Sequence, residues 1–164
     1  MCHRVALAVV ISVALLVLGG CGGDDGEGAL ERRTLIGPNG GTIVSADRNA
    51  TVVVPAEAIS LAQQFTSERI VGPPTDPGLV ANTAYRFGPE GWVFEAPVTI
   101  TIGYSEAALP DGVAEGTLQI ARLGSDGWAP VGTSVVDEAA NRVTAEIVGF
   151  SAFAIVGQPA EGEE

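Results

Sequence analysis

From Leu35 to the end of the chain, turn-forming residues interrupt the sequence roughly every eight to twelve positions, and no ten-residue stretch between them carries apolar side chains at helical spacing. A chain of this kind buries a core by pairing short strands into two packed layers. The clearest strand is 98–104, where Val98, Ile100, Ile102 and Tyr104 alternate with Thr99, Thr101 and Gly103. Gly41–Ser45 and Thr51–Val54 read as two strands joined by the polar turn Ala46-Asp47-Arg48-Asn49. Further runs lie at 118–123, 128–131, 134–137, 142–147 and 151–156, with Asp126-Gly127 as a turn. The less apolar run Gln64–Val71 predicts an edge strand, Pro55–Ile59 a single helical turn, and the three prolines of 72–78 a loop. The predicted fold class is all-β, an antiparallel β-sandwich of one domain, and about 120 residues are enough for one core.

Two turns and one strand start have physical reasons for their residues. Gly40 and Gly41 free the backbone for positive φ where the first strand begins. Gly88-Pro89-Glu90-Gly91 presets a turn that reverses the chain between Tyr85–Phe87 and Trp92–Phe94. Pro97 is expected at the first position of a strand, where its missing N–H costs least.

The N-terminus follows a different pattern. Met1–Arg4 is a short basic start, Val5–Leu18 is almost unbroken apolar sequence, and small residues follow, which is the signature of a secretory signal peptide. As a helix those fourteen apolar positions rise about 21 Å, short of the roughly 30 Å hydrocarbon core. Leu18-Gly19-Gly20-Cys21 resembles the lipobox of bacterial lipoproteins, which implies cleavage before Cys21 and a diacylglyceryl thioether on its sulfur. The expected organisation is a lipoprotein signal peptide over 1–20, the lipidated Cys21 with a flexible acidic tether to residue 35, a sandwich over 36–157 and an acidic tail over 158–164. Several acyl chains on one cysteine give stable anchoring. The predicted localisation is therefore exported and lipid-anchored, on the cell membrane or the outer membrane. Asp at the position after the lipidated cysteine is an inner-membrane retention signal in that class; here it is Gly22, which favours the outer membrane.

Composition then limits the chemistry. The only His is His3, the other Cys is Cys2, and all eight cations are Arg, so a chain cut before Cys21 keeps no His, no Lys and no free thiol. That excludes Ser-His-Asp and Cys-His triads, Lys Schiff bases, and His- or Cys-bound zinc. No phosphate-cradling loop is present, and neither enzyme activity nor a cofactor or metal is expected. The acidic groups Asp47 with Asn49, and Asp137-Glu138 with Asn141, offer oxygen ligands of the kind Ca²⁺ takes in turns, but they lack EF-hand spacing and read as turn formers. The whole chain carries 20 acids against eight Arg, a formal charge of -12. Phosphate backbones are repelled by such a surface, so nucleic acid is not an expected partner.

Three pieces in order, Gly37-Pro38-Asn39-Gly40-Gly41-Thr42-Ile43, Val54-Pro55-Ala56-Glu57-Ala58-Ile59 and Phe87-Gly88-Pro89-Glu90-Gly91-Trp92-Val93-Phe94-Glu95-Ala96-Pro97-Val98, resemble the ZU-five domain. That module is shared by ankyrins, netrin receptors and tight-junction scaffolds, and the resemblance spans about 36–157. It implies a β-sandwich used for protein–protein contact, generally without catalysis. Some relatives cleave themselves at His-Phe-Ser; the matching stretch is Gly149-Phe150-Ser151, in which Gly149 replaces the His, the general base. Phe150 and Phe153 are then expected in the core, with Ser151 starting the last strand.

The function expected is a membrane-anchored envelope lipoprotein displaying a non-catalytic sandwich for protein binding or adhesion. The alternatives are an architectural envelope protein without a dedicated ligand and, less favoured, a domain that cleaves itself at Phe150-Ser151. The expected partners are a membrane, through lipid on Cys21, and an envelope protein of unknown identity. Trp92 and Trp128 are the candidate interaction aromatics, since aromatics are enriched at interface cores, with one of the two expected to be exposed.

Overall fold

The computed structural model describes residues 31–159. The expected signal peptide, Cys21, the expected tether as far as residue 30 and residues 160–164 of the expected tail lie outside them. Eleven strands form two antiparallel sheets. In chain order they are β1 (Glu31–Ile36), β2 (Gly41–Val44), β3 (Ala50–Val54), β4 (Gln63–Arg69), β5 (Tyr85–Gly88), β6 (Val93–Gly103), β7 (Gln119–Gly124), β8 (Gly127–Pro130), β9 (Val135–Asp137), β10 (Arg142–Gly149) and β11 (Ala152–Val156). One sheet has the order β1-β4-β5-β11-β7-β8 and the other β2-β3-β6-β10-β9. The predicted sandwich is the fold observed.

Strand alternation produces the core. Ile43, Val52, Ile100, Ile102, Val143 and Ala145 point inward from the five-stranded sheet and are buried. Phe65, Tyr85, Phe87, Ile120, Phe153 and Ile155 meet them from the other sheet. Phe65, Phe87, Phe94 and Phe150 pack at ring-centroid distances of 4.9–5.6 Å, with Phe150 edge to face against Phe65 and Phe94. Among the described residues the helical content is two single turns, Glu106–Ala108 and Glu115–Thr117.

A second, smaller apolar layer lies outside the six-stranded sheet. Ala121, Ala152 and Ala154 present only methyl groups there, and the segment 70–84 lies over them, bringing in Ile70 and Leu79. Val80 N–H donates to the Ile155 carbonyl at 3.0 Å, and Gly157 N–H donates to Gly78 O at 2.8 Å. The indole of Trp128 fixes the proline-rich part of this strap, donating to the Pro74 carbonyl at 2.9 Å.

Several expectations are corrected. Residues 31–35, assigned to the tether, belong to β1, which pairs with β4 from Glu31↔Glu68 to Ile36↔Gln63; backbone pairing and burial of Ile36 order a segment whose side chains are too polar to announce a strand. β4 is consequently an inner strand, with β1 at the edge. Residues 55–59 form an irregular turn, because Glu57 has φ 65° and donates its N–H to the Pro38 carbonyl at 2.8 Å. Gly40 has the expected positive φ, 78°, but Gly41 lies in extended β2 and is small because Ile36 packs against its Cα.

The Gly88–Gly91 turn does not close a hairpin. It carries the chain from β5 in one sheet to β6 in the other, with Trp92 N–H donating to Pro89 O at 3.1 Å. Pro97 sits inside β6 rather than at its start. It falls where the β10 register slips, between the pairs Ile147↔Val98 and Gly149↔Val93, so its absent N–H breaks no regular ladder.

Candidate functional site

Strand direction gives the sandwich two distinct ends. β1 enters beside Glu68 and leaves beside Gln63, so the N-terminal side of the chain attaches at the end carrying Arg69, Asp47 and Gly103. The loop 55–63 and the start of β6 occupy the opposite end, about 20 Å away along six strand residues.

At the first end a polar network closes the sandwich. Tyr85 reaches from β5 and donates to Asp47 Oδ2 at 2.7 Å, while Ser45 Oγ donates to Asp47 Oδ1 at 2.6 Å and Asn49 N–H to the same oxygen at 3.1 Å. Asn49 Nδ2 donates to Gly103 O at 2.8 Å and to the Tyr85 hydroxyl at 3.2 Å. Burial by itself raises the Asp47 pKa, but hydrogen bonds from Ser45, Tyr85 and Asn49, with the Arg69 charge at 4.0 Å, outweigh it and hold the carboxyl below its ordinary value. The Tyr85 hydroxyl is held well above its ordinary range by burial first and then by Asp47. Both Asp47 oxygens are thus occupied by protein donors. Asp137 likewise caps its own turn, accepting from Ala140 N–H at 3.1 Å. Among the described residues no group of three or more His, Cys, Asp or Glu is arranged to hold a metal ion.

Beside β9 an open groove of about 470 Å³ is lined by Thr117, Gln119, Ser134, Glu138 and Gln158. Its hydroxyls are turned to structural work: Thr117 Oγ1 donates to Ala114 O and Ser134 Oγ to Val131 O, each at 2.7 Å. Nearby, Tyr104 is pushed up to about 12 by burial and by the adjacent Glu115 carboxylate, with Glu138 and Glu106 behind it.

The far end holds a second groove, of about 380 Å³, between the loop 58–63 and Trp92, Val93 and Glu95. Buried Ala58 and Ile59 contribute to its lining, and Glu95 N–H donates to Ala58 O at 2.9 Å, clamping the loop to β6. Leu61 is 78% exposed and Val93 71% exposed at this groove. The ring of Trp92 stands edge-on to Phe65 at 5.4 Å, and its Nε1–H is buried without an acceptor among the described residues. A donor left this way costs about 1–3 kcal/mol.

The two tryptophans therefore differ from expectation. Neither is exposed: Trp128 is 9% exposed and committed to Pro74, and Trp92 is half-buried with one side in the core. Trp92 still borders a groove, and its aliphatic neighbours Leu61 and Val93 supply the exposed apolar surface. Leu61 stands alone in a loop and Val93 is the first, outward-facing residue of β6, and neither position carries a distinctive sequence signal. Cys21 lies outside the described residues.

Phe150 and Phe153 are buried in the core, and Ser151 precedes β11. The Ser151 hydroxyl is directed to Leu123 O at 3.4 Å. At Gly149 a Cβ would stand 2.5 Å from the Trp92 carbonyl, so a larger residue there does not fit without backbone movement.

No protein-family model and no curated protein matches the chain.

Proposed function

We propose that this is a lipid-anchored envelope lipoprotein whose β-sandwich serves as a non-catalytic module for protein–protein contact. The observation that carries the reading is strand polarity: β1 brings the N-terminal, Cys21-bearing side of the chain to one end of the sandwich, and the groove beside Leu61, Trp92 and Val93 occupies the other. A tether at the first end leaves the groove at the end of the sandwich farther from the point of attachment. The lipobox-like Leu18-Gly19-Gly20-Cys21 and the ZU-five resemblance support the same reading from the sequence. A non-catalytic role is supported by the lack of His, Lys and free thiol after Cys21, and by the crowding at Gly149, where a self-cleaving relative has its His.

Mass spectrometry of the membrane fraction tests the anchor. The expected species begins at Cys21 with a diacylglyceryl adduct. An unmodified Cys21, or a mature chain still beginning at Met1, overturns the anchored reading.

A further inference from the structure

The two sheets differ in what covers their outer faces. The segment 70–84 lies over the six-stranded sheet, whereas on the five-stranded sheet Val53, Val135 and Val148 are 48%, 66% and 63% exposed. Along β10, Val143, Ala145 and Ile147 point into the core, so Arg142, Thr144, Glu146 and Val148 point out. Strand register sets the outward side chains in rows. Val44, Thr51, Thr101, Thr144 and Val135 form one row across all five strands, and Thr42, Val53, Thr99 and Glu146 form the next. The hydroxyls of Thr101 and Thr144 bond each other at 3.0 Å, so part of the hydrogen bonding in the first row is met without water. On its other side stand Arg142 and, beside it on β9, Asp137.

We infer that this face packs on the same face of a second copy with strands antiparallel, Arg142 of each copy meeting Glu146 of the other. The two residues stand two positions either side of Thr144, about 13 Å apart on one face of β10. A two-fold axis lying in the face along the row of Thr51, Thr101 and Thr144 reverses each strand over its own copy and forms both charge pairs at once. Asp137 then falls opposite Thr133, which is bonded to the Glu146 backbone, so like charges do not meet there. Among the described residues neither Arg142 nor Glu146 is engaged in a salt bridge within the chain. Five strands about 4.8 Å apart and seven residues of β10 make a face of about 24 Å by 20 Å. Two such faces come to about 1,000 Å², the lower limit of a specific interface, so the association is weak. Antiparallel pairing also points the two β1 entry ends in opposite directions. Anchored copies then pair from facing membranes, which makes the contact homophilic adhesion. The inference deepens the proposed contact role by naming its partner, and it is tested separately from the anchor.

The test is sedimentation velocity of the full chain over a concentration series, in zwitterionic nanodiscs holding one copy each where Cys21 is lipidated and in buffer where it is not. Reversible pairing is expected with a midpoint of about 10–100 μM. Arg142→Glu alone and Glu146→Arg alone, both at exposed positions, each set like charges together and are expected to weaken pairing about tenfold or more. The double reversal Arg142→Glu/Glu146→Arg restores both pairs and is expected to return the midpoint to within about threefold of the natural chain. A chain that stays monomeric to about 500 μM, single reversals without effect, or a double reversal no better than the single ones overturns the inference. The rescue separates this register from any other self-contact and from a loss of fold. Pairing with an unmodified Cys21 removes only the anchor, and a lipidated Cys21 without pairing removes only the dimer.

Discussion

The Tyr85 hydroxyl, on the six-stranded sheet, donates at 2.7 Å to Asp47 Oδ2 in the β2–β3 turn of the opposite sheet, so one hydrogen bond ties the two layers together where the chain enters. The Tyr85 residue is fully buried, and Asp47 keeps about 35% of its side chain exposed. Tyr85→Phe removes a charge-assisted bond partly screened by water, and is expected to cost about 1–2 kcal/mol in urea denaturation. A loss within experimental error of zero would mean that solvent replaces the tyrosine at no cost.

The same carboxylate sets an acid limb. The folded pKa of Asp47 lies below its ordinary 3.8, so its contribution to stability is present above that value and is lost as pH falls through the folded value. The stability gap between the natural chain and Asp47→Asn should be full at neutral pH and shrink below about pH 3.8. A gap that is constant across that range would show that Asp47 is not the titrating group.

An alkaline limb should mirror it. The chain has two tyrosines, Tyr85 and Tyr104, and both are raised above the ordinary 10.0. Raised groups stabilise fully below the unfolded value and lose that contribution as pH climbs through the folded one. The tyrosinate absorbance of the folded protein should therefore appear at higher pH than that of the urea-unfolded chain, Tyr104 titrating near 12. Coincident titration curves would contradict both environments.

Gly149 and Phe150 test the crossing between the sheets. Phe150 is fully buried against Phe65, Phe87 and Phe94, and Phe150→Ala is expected to cost about 3–5 kcal/mol. Gly149→Ala forces a Cβ toward the Trp92 carbonyl and is expected to cost about 1–3 kcal/mol. Thermal melts of both variants check this, and Gly149→Ala with an unchanged melting temperature would show that the crossing yields.

How far these features can be read in advance depends on the strand. β6 and β10 alternate cleanly because one face packs in the core, so their pattern is visible in Val98–Ile102 and Arg142–Ile147. β1 is not visible, since Glu31, Arg32 and Arg33 are exposed and only Ile36 is buried. Its strand state comes from pairing with β4, a contact between segments some thirty residues apart. The groove was legible only through Trp92.

By itself the sequence determined the class of fold and the poverty of reactive groups, because period-two alternation, turn residues and side-chain chemistry are properties of neighbouring positions. Tertiary structure alone decided which strands share a sheet, that Gly88–Gly91 passes between sheets, and that Trp128 holds the strap at Pro74. It also decided that a groove beside Leu61, Trp92 and Val93 stands opposite the end where β1 enters. Those outcomes arise from contacts between residues distant in the chain, where the free energy comes from complementary surfaces meeting and no local pattern records the partner.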